Sequence, residues 1–155
     1  MRTLCAIVFA ALTACGPEPK PAATAAARRR EAPKPTDETR RFPKTNFVDS
    51  KVVDSELMGK AFMPGGTVAS YKKGKAEYQM FLGRTGSAEE AAILLPDWRR
   101  GLAGAKLVPS FGGYFGEDAG RPVFVFSKGA WIAGIAGLPE KEADAAARAF
   151  AALLN

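Results

Sequence analysis

Residues 105 to 138 read AKLVPSFGGYFGEDAGRPVFVFSKGAWIAGIAGL, and they carry the clearest strand pattern in the sequence. Apolar and aromatic runs alternate here with turn sequences at Glu117 to Gly120 and at Lys128-Gly129. Such a pattern is typical of antiparallel strands joined by short turns, so the stretch is predicted to form a three-stranded meander. Its middle run, PVFVF, is apolar on both faces, which indicates a central strand covered by another element.

A second strand pair precedes this meander. Residues 67 to 83 read TVASYKKGKAEYQMFLG, in which apolar side chains alternate with Lys75, Glu77 and Gln79. Lys73-Gly74 lies between the two halves, and glycine permits the positive φ of a tight turn. The segment is therefore predicted to be a β-hairpin. The preceding residues 46 to 66, NFVDSKVVDSELMGKAFMPGG, show too weak a pattern for an assignment.

Two amphipathic helices are predicted around the meander. Ser87 and Glu90 have the spacing of a capping box, and apolar residues at three-to-four spacing follow, which predicts a helix over residues 87 to 102. Pro96 is expected to kink it or to break it into two turns. Pro139, followed by acidic residues, predicts the start of a second helix. The apolar face of that helix consists of Ala143, Ala146, Ala147, Phe150, Leu153 and Leu154.

Together these elements predict an α+β fold: an antiparallel sheet of about five strands with two helices packed on one face. The folded domain is expected to cover residues 45 to 155, which hold 13 Lys and Arg against 12 Asp and Glu. The domain is therefore nearly neutral at +1, and the other +5 of the chain's net charge of +6 comes from its N-terminal part. This distribution argues against nucleic acid as a partner.

Residues 16 to 44 are predicted to be a disordered tether. They are rich in Pro, Ala, Thr and charged residues, and Phe42 is their only large apolar side chain. Such a composition cannot bury enough apolar surface to offset the entropy cost of ordering. Arg28 to Arg30 are candidates for contact with anionic lipid headgroups, or for a solubilising patch within a linker.

The first fifteen residues have the pattern of an exported protein. Arg2 precedes an apolar run from Leu4 to Ala14, which is too short to span a bilayer as a helix. The run ends in Leu12-Thr13-Ala14-Cys15, which resembles the lipobox of bacterial lipoproteins. This resemblance implies that residues 1 to 14 are a signal peptide, removed together with Cys5, and that Cys15 carries lipid as the new N-terminus. An ordinary signal peptide with an incidental Cys15 is the alternative.

The lipoprotein resemblance also predicts where the protein lies. Acyl chains on Cys15 would hold it on a membrane facing the periplasm, since two or three chains make a stable anchor. Gly16 after the cysteine resembles the pattern that directs lipoproteins to the outer membrane of didermal bacteria. The segments GGYFG and RPVFVFSKG and the Ala-rich last helix resemble exported bacterial domains of unknown function. No functional residue carries over from those domains.

Several classes of chemistry are disfavoured by composition. The chain has no histidine and its only cysteines are Cys5 and Cys15, so the domain lacks the commonest general base, a thiol nucleophile and the usual transition-metal ligands. Asp49, Asp54 and Glu56 match no calcium-loop spacing, so no metal is expected. Ser110 lacks the leading glycine of a nucleophile elbow, and neither a catalytic motif nor a cofactor is predicted.

The strongest candidate for binding is the stretch FGGYFGEDAGRP. Gly112 and Gly113 would let the backbone approach a ligand, while Tyr114, Phe115 and Arg121 would stack on it or pair with it. The alternative is a hairpin whose aromatic side chains fill the core.

We therefore expect a lipid-anchored cell-envelope protein with a non-catalytic domain that binds a small ligand or an envelope protein, or serves an envelope complex as an accessory subunit. An envelope enzyme with a dispersed carboxylate, Lys or Tyr site is the alternative.

Overall fold

The computed structural model describes residues 33–109 and 111–155. The predicted signal peptide, the lipobox and the tether as far as residue 32 lie outside the described residues. The elements in chain order are β1 (Phe47–Ser55), β2 (Pro64–Lys73), β3 (Ala76–Arg84), α1 (Ala88–Gly101), β4 (Ala103–Val108), β5 (Gly113–Asp118), β6 (Arg121–Lys128), β7 (Trp131–Ala136) and α2 (Glu140–Ala151). Neither helix is long and apolar enough to cross a membrane.

The strands form one antiparallel sheet in the order β1-β2-β3-β7-β6-β5-β4. The predicted α+β class with an antiparallel sheet is confirmed, and so is the β2–β3 hairpin. The sheet has seven strands, however, and not about five. Residues 46 to 66, left unassigned, contribute the edge strand β1 and the first three residues of β2. The first strand of the expected meander is in fact two strands, because Phe111 and Gly112 donate backbone hydrogen bonds to the Val108 carbonyl and reverse the chain.

The two helices lie on opposite faces of the sheet, so the prediction that both pack on one face is wrong. We call these surfaces the α1 face and the α2 face. In β6, Val123 and Val125 belong to the apolar cluster around Trp98 of α1. Phe124 and Phe126 belong to the cluster around Phe150 of α2. The two-sided apolar run therefore reflects a central strand between two helical layers.

Helix α1 begins as its sequence predicts. The Ser87 hydroxyl accepts a hydrogen bond from the Glu90 amide, and the Glu90 carboxylate accepts one from the Gly86 amide at 2.8 Å. The helix is continuous through Pro96, so the expected break is absent. Pro96 lies on the exposed side, away from the buried Leu95 and Trp98.

Helix α2 also begins after Pro139, and Ala143, Ala147 and Phe150 of its predicted face are buried. The helix ends at Ala151. Leu153 therefore leaves the helical face and is 43% exposed, whereas Leu154 is buried.

The folded unit begins well before residue 45, which corrects the predicted boundary between tether and domain. Phe42 is only 1% exposed, and its ring centroid lies 4.9 Å from that of Phe150. The Glu38 amide donates to the Thr67 hydroxyl at 3.1 Å, and the Thr67 hydroxyl donates to the Thr36 carbonyl at 3.2 Å. Residues 36 to 44 thus cover part of the α2 face and belong to the domain.

Candidate functional site

The predicted ligand groove does not form at its four consecutive residues, Gly112 to Phe115. Gly112 lies in the turn before β5, and Gly113 faces the backbone of β6, where a Cβ would meet the Val125 carbonyl oxygen at 2.3 Å. Tyr114 packs in the cluster on the α1 face and Phe115 in the cluster on the α2 face, because neighbours on a strand point to opposite sides. The close approach at Gly113 therefore serves strand pairing.

Arg121, the fifth residue of that prediction, lies elsewhere, in a pocket at the end of the sheet. It is the first residue of β6, and its side chain reaches across β7 to β3. The pocket has a volume of about 440 Å³. Its polar lining comes from four strands and comprises Asp49, Ser70, Lys72, Glu77, Gln79 and Arg121.

Strand register explains why these side chains meet. Asp49 of β1 is paired with Ser70 of β2, and Ser70 is paired with Gln79 of β3. Paired residues of neighbouring strands lie on the same face, so these three form a polar row across the sheet. They share the α1 face, since Val68 and Phe81, two residues away from Ser70 and Gln79, belong to the Trp98 cluster.

The guanidinium of Arg121 is held in one orientation. Its Nη1 donates to the Gln79 side-chain oxygen at 2.9 Å, and its Nη2 donates to the Ala136 carbonyl at 3.1 Å. It also lies against Gly137, where an added Cβ would come within 3.1 Å of Nη2 and 3.2 Å of Nε. Gly137 has a φ of +103°, so glycine serves here both for the backbone conformation and for contact with Arg121.

The charges in the pocket are only partly paired. Lys72 and Glu77 form an ion pair at 3.3 Å. Arg121 and Asp49, by contrast, form no ion pair with any residue in ranges 33–109 and 111–155. The Arg121 charge is fixed by two neutral acceptors in a half-buried position. Such a guanidinium can pair with an oxyanion without first losing another partner.

The tyrosines beside the pocket are not poised as bases. Burial raises the pKa of Tyr71 far above its usual value, and the nearby Tyr78 raises it further. Burial likewise raises the pKa of Tyr78. The Tyr71 hydroxyl donates to the Pro43 carbonyl at 2.9 Å. Both phenols are therefore protonated at neutral pH, and the Tyr71 hydroxyl ties the N-terminal segment to the sheet.

The described part of the chain has no cluster of metal-ligating side chains. No group of three or more His, Cys, Asp or Glu side chains there could hold a metal ion. In particular, Asp49, Asp54 and Glu56 do not gather into such a group.

Comparison of the chain with protein families, curated proteins and solved structures finds no match.

Sequence reasoning singled out Arg121 but missed the side chains that surround it. The alternation in the hairpin already placed Glu77 and Gln79 on one polar face. The missing information was the assignment of β1, which brings Asp49 beside Ser70, and the pairing of β3 with β7, which brings Gln79 within reach of Arg121.

Proposed function

We propose that this is a lipid-anchored protein of the bacterial cell envelope whose domain binds a ligand or partner without catalysing a reaction. The anchor is supported by one observation: Leu12-Thr13-Ala14-Cys15 closes a short apolar run that follows a positive N-terminus. Acylation of Cys15 would hold the chain on the membrane, facing the periplasm. Gly16 favours the outer membrane where the cell has one.

The binding role is supported by the pocket at Arg121. A fixed guanidinium without an ion-pair partner in the described chain, next to a row of polar side chains, is a recognition surface. The two edge strands of the sheet, β1 and β4, offer a second kind of surface, since an edge can pair with an extended segment of another protein. These edges are what an accessory subunit of an envelope complex would use.

The anchor is tested by expressing the full-length chain and the Cys15→Ser variant in a bacterial host. Intact mass and membrane fractionation are measured, with separation of inner and outer membranes on a density gradient. We expect the wild-type chain to begin at Cys15, to carry acyl mass and to sediment with membranes, while Cys15→Ser carries none and is soluble or unprocessed.

Cys5→Ser is the matched control, because Cys5 lies within the predicted signal peptide and should not affect lipidation. A mature wild-type protein without acyl mass, recovered in the soluble fraction, would refute the anchor. Equal loss of acylation in both variants would also contradict the role assigned to Cys15.

A further inference from the structure

The geometry points to a ligand class for the pocket: a small zwitterion that carries a carboxylate and an ammonium group. This inference rests on the proposed binding role. It starts from the two pocket charges that have no ion-pair partner among the described residues, the cation of Arg121 and the anion of Asp49. A ligand with one charge of each sign satisfies both.

Arg121 is suited to the carboxylate end. A guanidinium has five N–H donors, and the hydrogen bonds to Gln79 and Ala136 use two of them. The remaining donors are sufficient for a carboxylate, which accepts bidentate hydrogen bonds from arginine. Because Gln79, Ala136 and Gly137 already fix the side chain, little rotamer entropy is lost when a ligand binds.

Asp49 is suited to the ammonium end. It lies on the edge strand β1, and the Ser70 side chain of β2 lies between it and Gln79 in the polar row. A carboxylate accepts hydrogen bonds from an ammonium group, and the Ser70 hydroxyl can donate to the ligand or accept from it.

The strand spacing sets a lower limit on the length of the ligand. Asp49 and Gln79 are separated by two strand spacings, about 9.6 Å in all. The Arg121 guanidinium lies beside Gln79, and its other hydrogen bond is to Ala136 of β7, which is farther from β1 than Gln79 is. A charge-assisted hydrogen bond at each end occupies about 2.8 Å, so the ligand's charged groups are at least about 4 Å apart. A β-amino acid reaches that separation, whereas an α-amino acid is shorter. The pocket volume of about 440 Å³ is in the range of small-molecule sites.

A phosphate ligand fits less well. The carboxylates of Asp49 and Glu77 lie in the same pocket, and Lys72 is already paired with Glu77. A dianion would gain one fixed guanidinium but would be repelled by the unpaired Asp49. The pocket therefore favours a ligand with no net charge.

The test uses the purified full chain, from whichever fraction contains it and with detergent in every sample, and measures Kd by calorimetry, with saturation-transfer NMR for weak binding. The probes are β-alanine, propionate, ethylamine and inorganic phosphate. We expect β-alanine to bind at least tenfold tighter than propionate, ethylamine or phosphate, since each of these engages only one end of the site.

Arg121→Gln should weaken β-alanine binding at least tenfold. Asp49→Asn should reduce the affinity for β-alanine to that for propionate, and it should not weaken propionate binding, because it removes a negative charge near the carboxylate. Arg84→Gln is the matched control, because Arg84 lies at the far end of β3 over Trp131 and should bind as wild type does. Thermal unfolding of each variant shows whether it is folded, and the exposed Asp49 provides a second test if Arg121→Gln does not fold.

The inference is overturned if propionate binds as tightly as β-alanine or if phosphate binds more tightly. It is also overturned if no probe binds at about 10 mM, the top of the titration range. Equal losses in Arg84→Gln and Arg121→Gln would also overturn it. These outcomes are independent of fractionation, so the ligand class can fail while the lipid anchor holds, and the reverse.

Discussion

Replacing Phe42 with alanine tests whether the segment before residue 45 is part of the folded unit. Phe42 is 1% exposed and packs on Phe150 at 4.9 Å between ring centroids. Truncating a fully buried Phe to Ala costs about 3 to 5 kcal/mol, through lost burial and the cavity left behind. For a folded unit of about 120 residues, an unfolding entropy of about 2.1 cal/mol/K per residue makes each kcal/mol worth about 4 °C, so Tm should fall by about 12 to 20 °C.

The assay is thermal and chemical unfolding of the full chain in detergent, followed by the fluorescence of Trp98 and Trp131. Ile93→Ala is the control, since Ile93 is an apolar residue that is 63% exposed on α1 and should change stability by less than about 0.5 kcal/mol. A loss below about 1 kcal/mol for Phe42→Ala, comparable with that control, would refute the packing of this segment. It would then restore the boundary at residue 45.

Two further predictions concern the N-terminal cap of α1 and the buried tyrosines. Ser87→Ala should lower stability by about 1 kcal/mol in urea unfolding, because the hydroxyl caps the first turn of α1 by accepting from the Glu90 amide; no loss would mean that the cap is dispensable. The raised pKa values of Tyr71 and Tyr78 predict stability that is fully present below about pH 10, the value in the unfolded chain, and is lost as pH rises towards the folded values. Tyr71→Phe should make the alkaline decline less steep and cost about 1 kcal/mol at neutral pH through the hydrogen bond to Pro43, and an unchanged alkaline slope would contradict this account.

The elements that sequence reasoning predicted are those whose signals are local. The β2–β3 hairpin has alternation on both sides of Gly74, whose φ of +64° suits a tight turn. Helix α1 has its capping residues within four positions of one another. Each of these signals is complete within about twenty residues, so no knowledge of distant neighbours was needed.

Strand β1 was not predicted because its sequence shows little of the apolar–polar alternation that identifies a strand. In Phe47–Ser55 only every third residue is even partly buried, and the other positions are exposed. Its strand conformation depends on pairing with β2, with an irregularity in register between Phe47 and Asp49. An edge strand with one covered side does not have to alternate cleanly, so periodicity alone could not identify it.

The placement of the helices was wrong for a similar reason. The run PVFVF shows that β6 is covered on both sides, but it does not say which element lies on which face. That choice depends on β3 pairing with β7 across the whole segment from α1 to β6. The same long-range pairing builds the pocket. The sequence drew attention to Arg121, but it gave no indication that Gln79 and Asp49 lie near it.

The first described segment of the chain and the pocket lie on opposite faces of the sheet. The Thr36 carbonyl accepts a hydrogen bond from the Thr67 hydroxyl. Ala69, two residues further along β2 and therefore on the same face as Thr67, belongs to the cluster on the α2 face. The described chain thus enters the domain on the α2 face. The polar row from Asp49 to Gln79 is on the α1 face, and Lys72 is five residues further along β2, about 17 Å from Thr67. The segment around Thr36 and the polar row of the pocket therefore lie on opposite faces of the sheet.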